Sequence, residues 1–224
     1  MRALVLWLML ACGAVAQSRE VLPGQIELNV TVEDLGTQPF VGEMVLVTIH
    51  GIYRRHIARE SLEQPGLEGF AWMQLGEDQW FETRERGQPV KNFRRKMALF
   101  PEKAGEVEIG AFVHHLTLLD ENDNWFDHDL HSAPVTVAAV AAPGGSDWWF
   151  PARRLVVSDS WSNAPDQLAA GEGVLRIVRV AATGAAPQMI PPMPELRSPS
   201  GLIFAHPERR LVELSPEGPG SIAF

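Results

Sequence analysis

Between His114 and His131 the chain concentrates four histidines, His114, His115, His128 and His131, and four aspartates, Asp120, Asp123, Asp127 and Asp129. Imidazole nitrogens and carboxylate oxygens are the ligands of zinc and calcium sites, so divalent-metal binding is the first chemistry to test against the spacing. The spacing does not support it. Adjacent His114 and His115 fall on opposite faces of a strand, and Asp120-Glu121-Asn122-Asp123-Asn124 lacks the glycine and distal glutamate of an EF-hand loop. Asp and Asn build turns, so residues 114–131 are predicted to form a solvated hairpin closing between Leu118 and Phe126. No metal or cofactor is assigned. The competing reading is a secreted metal- or ligand-binding β-protein that uses this hairpin.

Other chemistry leaves fewer marks. There is no Gly-x-Ser-x-Gly elbow, His-Glu-x-x-His helix or phosphate-binding glycine loop, and a Ser-His-Asp site assembled from distant loops leaves no trace in residue order. No catalytic residue is assigned, and the chain reads as a non-enzyme. Arg94-Arg95-Lys96 and Arg153-Arg154 read as solvated charges. Trp148-Trp149 reads as a plug between domains, and Gly42 and Gly171 as the bends before strands.

These residues must be carried by an exported β-protein. Arg2, the apolar run Ala3 to Ala11 and Ala14-Val15-Ala16 form a signal peptide over residues 1–16, predicted to leave Gln17 as the first residue. Cys12, the single cysteine, leaves with it, which excludes disulfides and thiolate ligands from the remainder. A loose lipobox around Cys12 is the alternative processing route. The formal charge is −9, and loss of Arg2 leaves 18 basic against 28 acidic residues. Such a balance repels phosphate backbones, so no nucleic-acid partner is expected. After the leader no run approaches the roughly 20 apolar residues of a membrane-spanning helix, and no anchor is expected in this chain.

Period-two alternation dominates the chain beyond the leader. Ile26, Leu28, Val30 and Val32 alternate with polar residues, and a second strand runs from Met44 to His50 before Gly51. Ile52 to Gly69 is polar and punctuated by Pro and Gly and reads as a connection. Phe70 to Arg84 and Val90 to Phe100 read as a long hairpin turning at Gly87-Gln88, with Trp72 and Trp80 packed on it. Val107, Ile109, Ala111 and Val113 share one face of the next strand, and Ala133 to Val140 closes a first domain, 17–140. Residues 141–147, with Pro143-Gly144-Gly145, form a linker. The second domain, 148–224, repeats the first: Ala170-Gly171-Glu172 precedes an apolar strand, Val174 to Ala182, as Val41-Gly42-Glu43 precedes the strand at Met44. Leu155 to Val157 opens this half, and the prolines between Pro191 and Pro207 forbid a central strand there.

The string Leu99-Phe100-Pro101, Lys103-Ala104-Gly105 and Glu106-x-x-Ile109, within Arg94 to Val113, resembles the BatD-like oxygen-tolerance family of bacterial envelope proteins. Gln188-Met189-Ile190-Pro191 resembles that family's proline-rich turn, with Ile190 in place of leucine, and the likeness spans Gln25 to Leu214. It implies an all-β fold of tandem immunoglobulin-like β-sandwiches in the periplasm. It also implies a link to aerotolerance and envelope stress, with von Willebrand factor A domain proteins and a MoxR-type ATPase as partners, in a family normally anchored in the membrane. This sequence departs from the family by reaching Phe224 before any second counterpart of Met97 to Val113, so the second sandwich is expected to be incomplete.

Overall fold

The computed structural model describes residues 20–120, 122–144, 149–164, 167–186, 189–190, 210–211 and 220–223. The expected leader, residues 145–148 at the end of the expected linker, and the proline-rich stretch 191–209 lie outside them. Strand accounts for 56% of the chain and helix for 1%, which makes the protein all-β, in several antiparallel sheets.

The central sheet is built on β1 (Ile26–Val32), β2 (Val45–Tyr53), β4 (Phe70–Gln74), β5 (Gln79–Glu85) and β6 (Gln88–Pro101). Its order is β1-β2-β6-β4, and β5 pairs with the other half of the long β6. A three-stranded sheet follows the order β3-β8-β9, from β3 (Ile57–Glu63), β8 (Val113–Leu119) and β9 (Trp125–His131). The pair β10-β7, from β7 (Gly105–Ile109) and β10 (Val135–Ala139), completes this half. One face of the central sheet, with Val45, Val47, Ile49, Tyr53, Phe93, Met97 and Leu99, shares a single core with Val107, Ile109, Leu116, Leu118, Phe126 and Val137 of the other sheets. Alternation places these side chains, since every second residue of a strand faces inward.

Several expectations need correction. Ile52 to Gly69 is not merely a connection. It contains β3, whose pattern is polar because the strand lies at a sheet edge and fully buries only Ile57. β2 does not stop at Gly51 but runs on to Tyr53, whose ring folds back over that glycine; a Cβ at residue 51 would overlap the phenol. The long hairpin is interrupted between Gln74 and Gln79, and its turn is Arg86-Gly87 rather than Gly87-Gln88. Both turn residues have positive φ, the two-residue geometry that matches strand twist. Trp72 and Trp80 are substantially exposed, although the Trp80 ring leans on Tyr53 and Phe93. Beyond Ile109 the alternation breaks: Phe112 and His114 turn inward, and Ala111 and Val113 do not. The irregular stretch between β7 and β8 shifts the parity.

The later half forms a four-stranded sheet, β11-β12-β14-β13, from β11 (Arg154–Trp161), β12 (Arg176–Thr183), β13 (Arg210–Leu211) and β14 (Gly220–Ala223). It copies the central sheet. Adding 129 to each position carries the pair Ile26↔Tyr53 onto Leu155↔Ala182, and His50↔Arg94 onto Arg179↔Ala223. The same shift superposes two turns at atomic detail. Glu43 accepts from the Phe40 amide and Glu172 from the Ala169 amide, both at 3.0 Å, with Gly42 and Gly171 at φ 79° and 88°.

Candidate functional site

The sheet β3-β8-β9 carries the residues singled out by their chemistry, and its two faces use them differently. His114 points into the core and His115 points out, as the alternation of β8 requires. His114 is fully buried and Tyr53 is 1% exposed. The Tyr53 hydroxyl lies 2.5 Å from His114 Nδ1, and His114 Nε2 lies 2.7 Å from the Glu60 carboxylate. A carboxylate only accepts, so Nε2 carries the proton and Nδ1 receives the phenol O–H. Burial favours the neutral ring and lowers the His114 pKa, against the pull of Glu60 in the other direction. Burial likewise raises the Tyr53 pKa, with Glu60 adding to it, so the donor keeps its proton. Trp80 and Phe93 wall the imidazole, and Arg95, paired with Asp78 at 2.6 Å, stands nearby.

This hydroxyl–imidazole–carboxylate relay joins strands of two sheets across 61 residues. Its tyrosine is sealed from solvent, so the relay satisfies polar groups within the core. Tyr53 is the only tyrosine in the sequence, and its place two residues after a glycine was the one mark that could have drawn attention to it. Sequence analysis missed both Tyr53 and Glu60 as partners of His114.

The outward face is a polar ladder. Register aligns Arg59, Thr117 and Asp127 in one row and Ser61, His115 and Asp129 in the next. His115 Nδ1 lies 2.7 Å from Asp129 and Nε2 3.0 Å from Glu63, so the ring donates to both when protonated. The Glu63 and Asp129 hydrogen bonds raise its pKa. Thr117 donates to Asp127, and Arg59 stacks over Trp125. Arg59, Ser61, His115, Thr117, Asp127 and Asp129 line an open depression of about 300 Å³. The hairpin closes at Leu118↔Phe126 and Leu119↔Trp125, with Asp120 accepting from the amides of Asn122 and Asn124 and Asp123 at φ 60°. His128 is half-buried on the inner row opposite Leu116, and His131 is exposed opposite Val113. The cluster is thus split between two faces and a turn. Among the described residues, no group of three or more His, Asp or Glu is placed to hold a metal ion.

A second constellation lies where the two halves meet. Arg153, expected to be solvated, reaches Glu33 at 3.1 Å and the Met44 carbonyl at 3.0 Å, with Glu43 at 3.8 Å. Trp149 donates to the Val41 carbonyl and sets its ring edge-on to Phe40; Trp148, the other half of the expected plug, lies outside the described residues. Ala186 and Met189 pack against Leu46, Ala98 and Phe100 on the outer face of the central sheet. Arg95 too is held in an ion pair, and Arg94 donates to Gln79.

No helix among the described residues is long and apolar enough to cross a membrane. No protein-family model and no curated protein matches this chain.

Proposed function

We propose that this chain is a non-enzymatic periplasmic scaffold made of tandem immunoglobulin-like β-sandwiches, 17–140 and 148–224 joined by the linker 141–147. One observation carries the reading: β11-β12-β14 repeat the order and register of β1-β2-β6, including the Gly-Glu turn. Repeated β-modules that share a joint suit holding partners at fixed spacing better than housing a reaction. The relay at His114 supports the same view, because its hydroxyl is sealed within the core. By its resemblance to BatD-like proteins, the partners are von Willebrand factor A domain envelope proteins, in a system with a MoxR-type ATPase linked to aerotolerance and envelope stress. Cross-linking in living cells followed by mass spectrometry tests this. An A-domain protein captured from the periplasmic side is the expected result, and capture of none in cells that express one overturns it.

The second reading, a secreted protein binding a metal or ligand on hairpin 114–131, draws on the depression above His115, Asp127 and Asp129. There both ring nitrogens of His115 are already engaged by carboxylates, so a metal must first displace those bonds. Calorimetric titration with zinc and calcium separates the readings: micromolar affinity favours the ligand-binding protein.

A further inference from the structure

The two repeats treat their first strand in opposite ways. β1 is an edge strand of the central sheet, but it meets β9 and β10 alongside, and Ile26 and Leu28 are buried. β11, its equivalent, is also an edge strand, and all eight of its residues are exposed. Leu155 and Val157 on one face stand 48% and 58% open, and Val156 on the other 45%. Among the described residues β11 is hydrogen-bonded into the sheet only by β12. A long apolar edge strand of this kind is a template for another strand.

We infer that β11 pairs with β11 of a second copy of this chain, antiparallel about a two-fold axis at Val156, so that the two later sheets merge into one. Apolar residues are exposed on both faces of the strand. A sheet laid on one face would leave the other uncovered, whereas a strand added at the edge shields both. Symmetry selects the register. Faces are preserved about an axis perpendicular to the sheet, so opposed residues must have the same parity. With Val156 on the axis, Val156 faces itself and each Leu155 faces the other copy's Val157, which makes three adjacent apolar cross-strand pairs. Arg154 then faces a serine, Ser158, and Asp159 comes level with Arg153 of the other copy, so no like charges meet. The shared strand is isologous and closes as a dimer, leaving no β11 edge for further growth.

The inference rests on the repeat and not on the proposed partners, so its failure leaves the cross-linking of envelope proteins to be judged separately. It is tested on the chain carrying Cys12→Ser, into which single cysteines are placed at solvent-accessible positions. Val156→Cys puts two thiols at the axis. Ser160→Cys moves them along the strand away from it, and Glu27→Cys occupies the equivalent place in the first repeat. Under mild oxidation Val156→Cys is expected to form the disulfide dimer at least about tenfold faster than either control, because proximity raises the effective thiol concentration. Sedimentation of the thiol-free protein should show a monomer–dimer equilibrium, and Val156→Lys, which sets two like charges at the axis, should shift it to monomer while leaving the circular dichroism spectrum unchanged. A monomer at all concentrations, equal cross-linking at the three positions, or a dimer untouched by Val156→Lys overturns the inference.

Discussion

The central sheet and the later sheet share the order and register of three strands and a turn, yet one is sealed and the other open. In the central sheet Val47, Ile49 and Met97 are wholly buried because the other sheets of that half cover them. At the shifted positions Arg176 and Val178 remain partly or fully accessible. Backbone pairing of the first three strands is therefore the same in both, and what differs is the apolar area removed from water. That area is the main favourable term in folding, so two sheets of one design should differ widely in stability.

Hydrogen exchange gives the largest contrast. In the monomer, amides of β2 and β6 should exchange at least about 1,000-fold more slowly than those of β11 and β12, since core strands open only with the whole fold while exposed ones open locally. Equal protection in both halves of a confirmed monomer would break the comparison. Next comes a matched pair of truncations. Ile49→Ala should lower stability by about 2–5 kcal/mol and Val178→Ala by less than about 1 kcal/mol, measured by urea unfolding followed separately in each half. A similar loss at both positions would mean that the later sheet is covered as well as the central one.

Acidity sharpens a smaller contrast, between the two faces of β8. His114 has a lowered folded pKa, so its contribution to stability is present above the unfolded value near 6.5 and is lost as the pH falls toward the folded one. His115 has a raised pKa; its contribution is present below about 6.5 and is lost as the pH rises through the folded value. Replacing His114 with Gln, which can still accept from Tyr53 and donate to Glu60, should flatten the fall in melting temperature on acidification. Replacing His115 with Gln should steepen it. The smallest effect belongs to the hairpin: His131→Ala should change stability by about 0.5 kcal/mol or less, as at exposed positions generally, with His128→Ala close to it. Tight zinc binding abolished by these two changes would instead favour the ligand-binding reading.

Some of this was legible in residue order. The alternation of Ile26 to Val32 marks β1, and the period of two puts His114 and His115 on opposite faces. The Gly-Glu bends mark both repeats because the turn uses local contacts, three residues apart. β3 was not legible, since an edge strand needs little apolar patterning. Nor was the relay, because Glu60 reaches His114 from the neighbouring strand β3 and Tyr53 only after two sheets have packed, and no local rule encodes contacts across so many residues. Arg153 was misread for the same reason: its partners belong to the other repeat.

The packing of Ala186 and Met189 on Leu46, Ala98 and Phe100 bears on how such a chain could evolve. Repeats that merely follow one another can be shuffled, lost or fused elsewhere as independent units. Here the first repeat has placed apolar residues on its outer face that the second must shelter, and the Arg153 bonds add a polar lock to the same seam. Recombination that cut at the linker would deliver a first repeat with a bare patch and a second without its support. Separating the two sheets would therefore expose the same apolar patch from both sides.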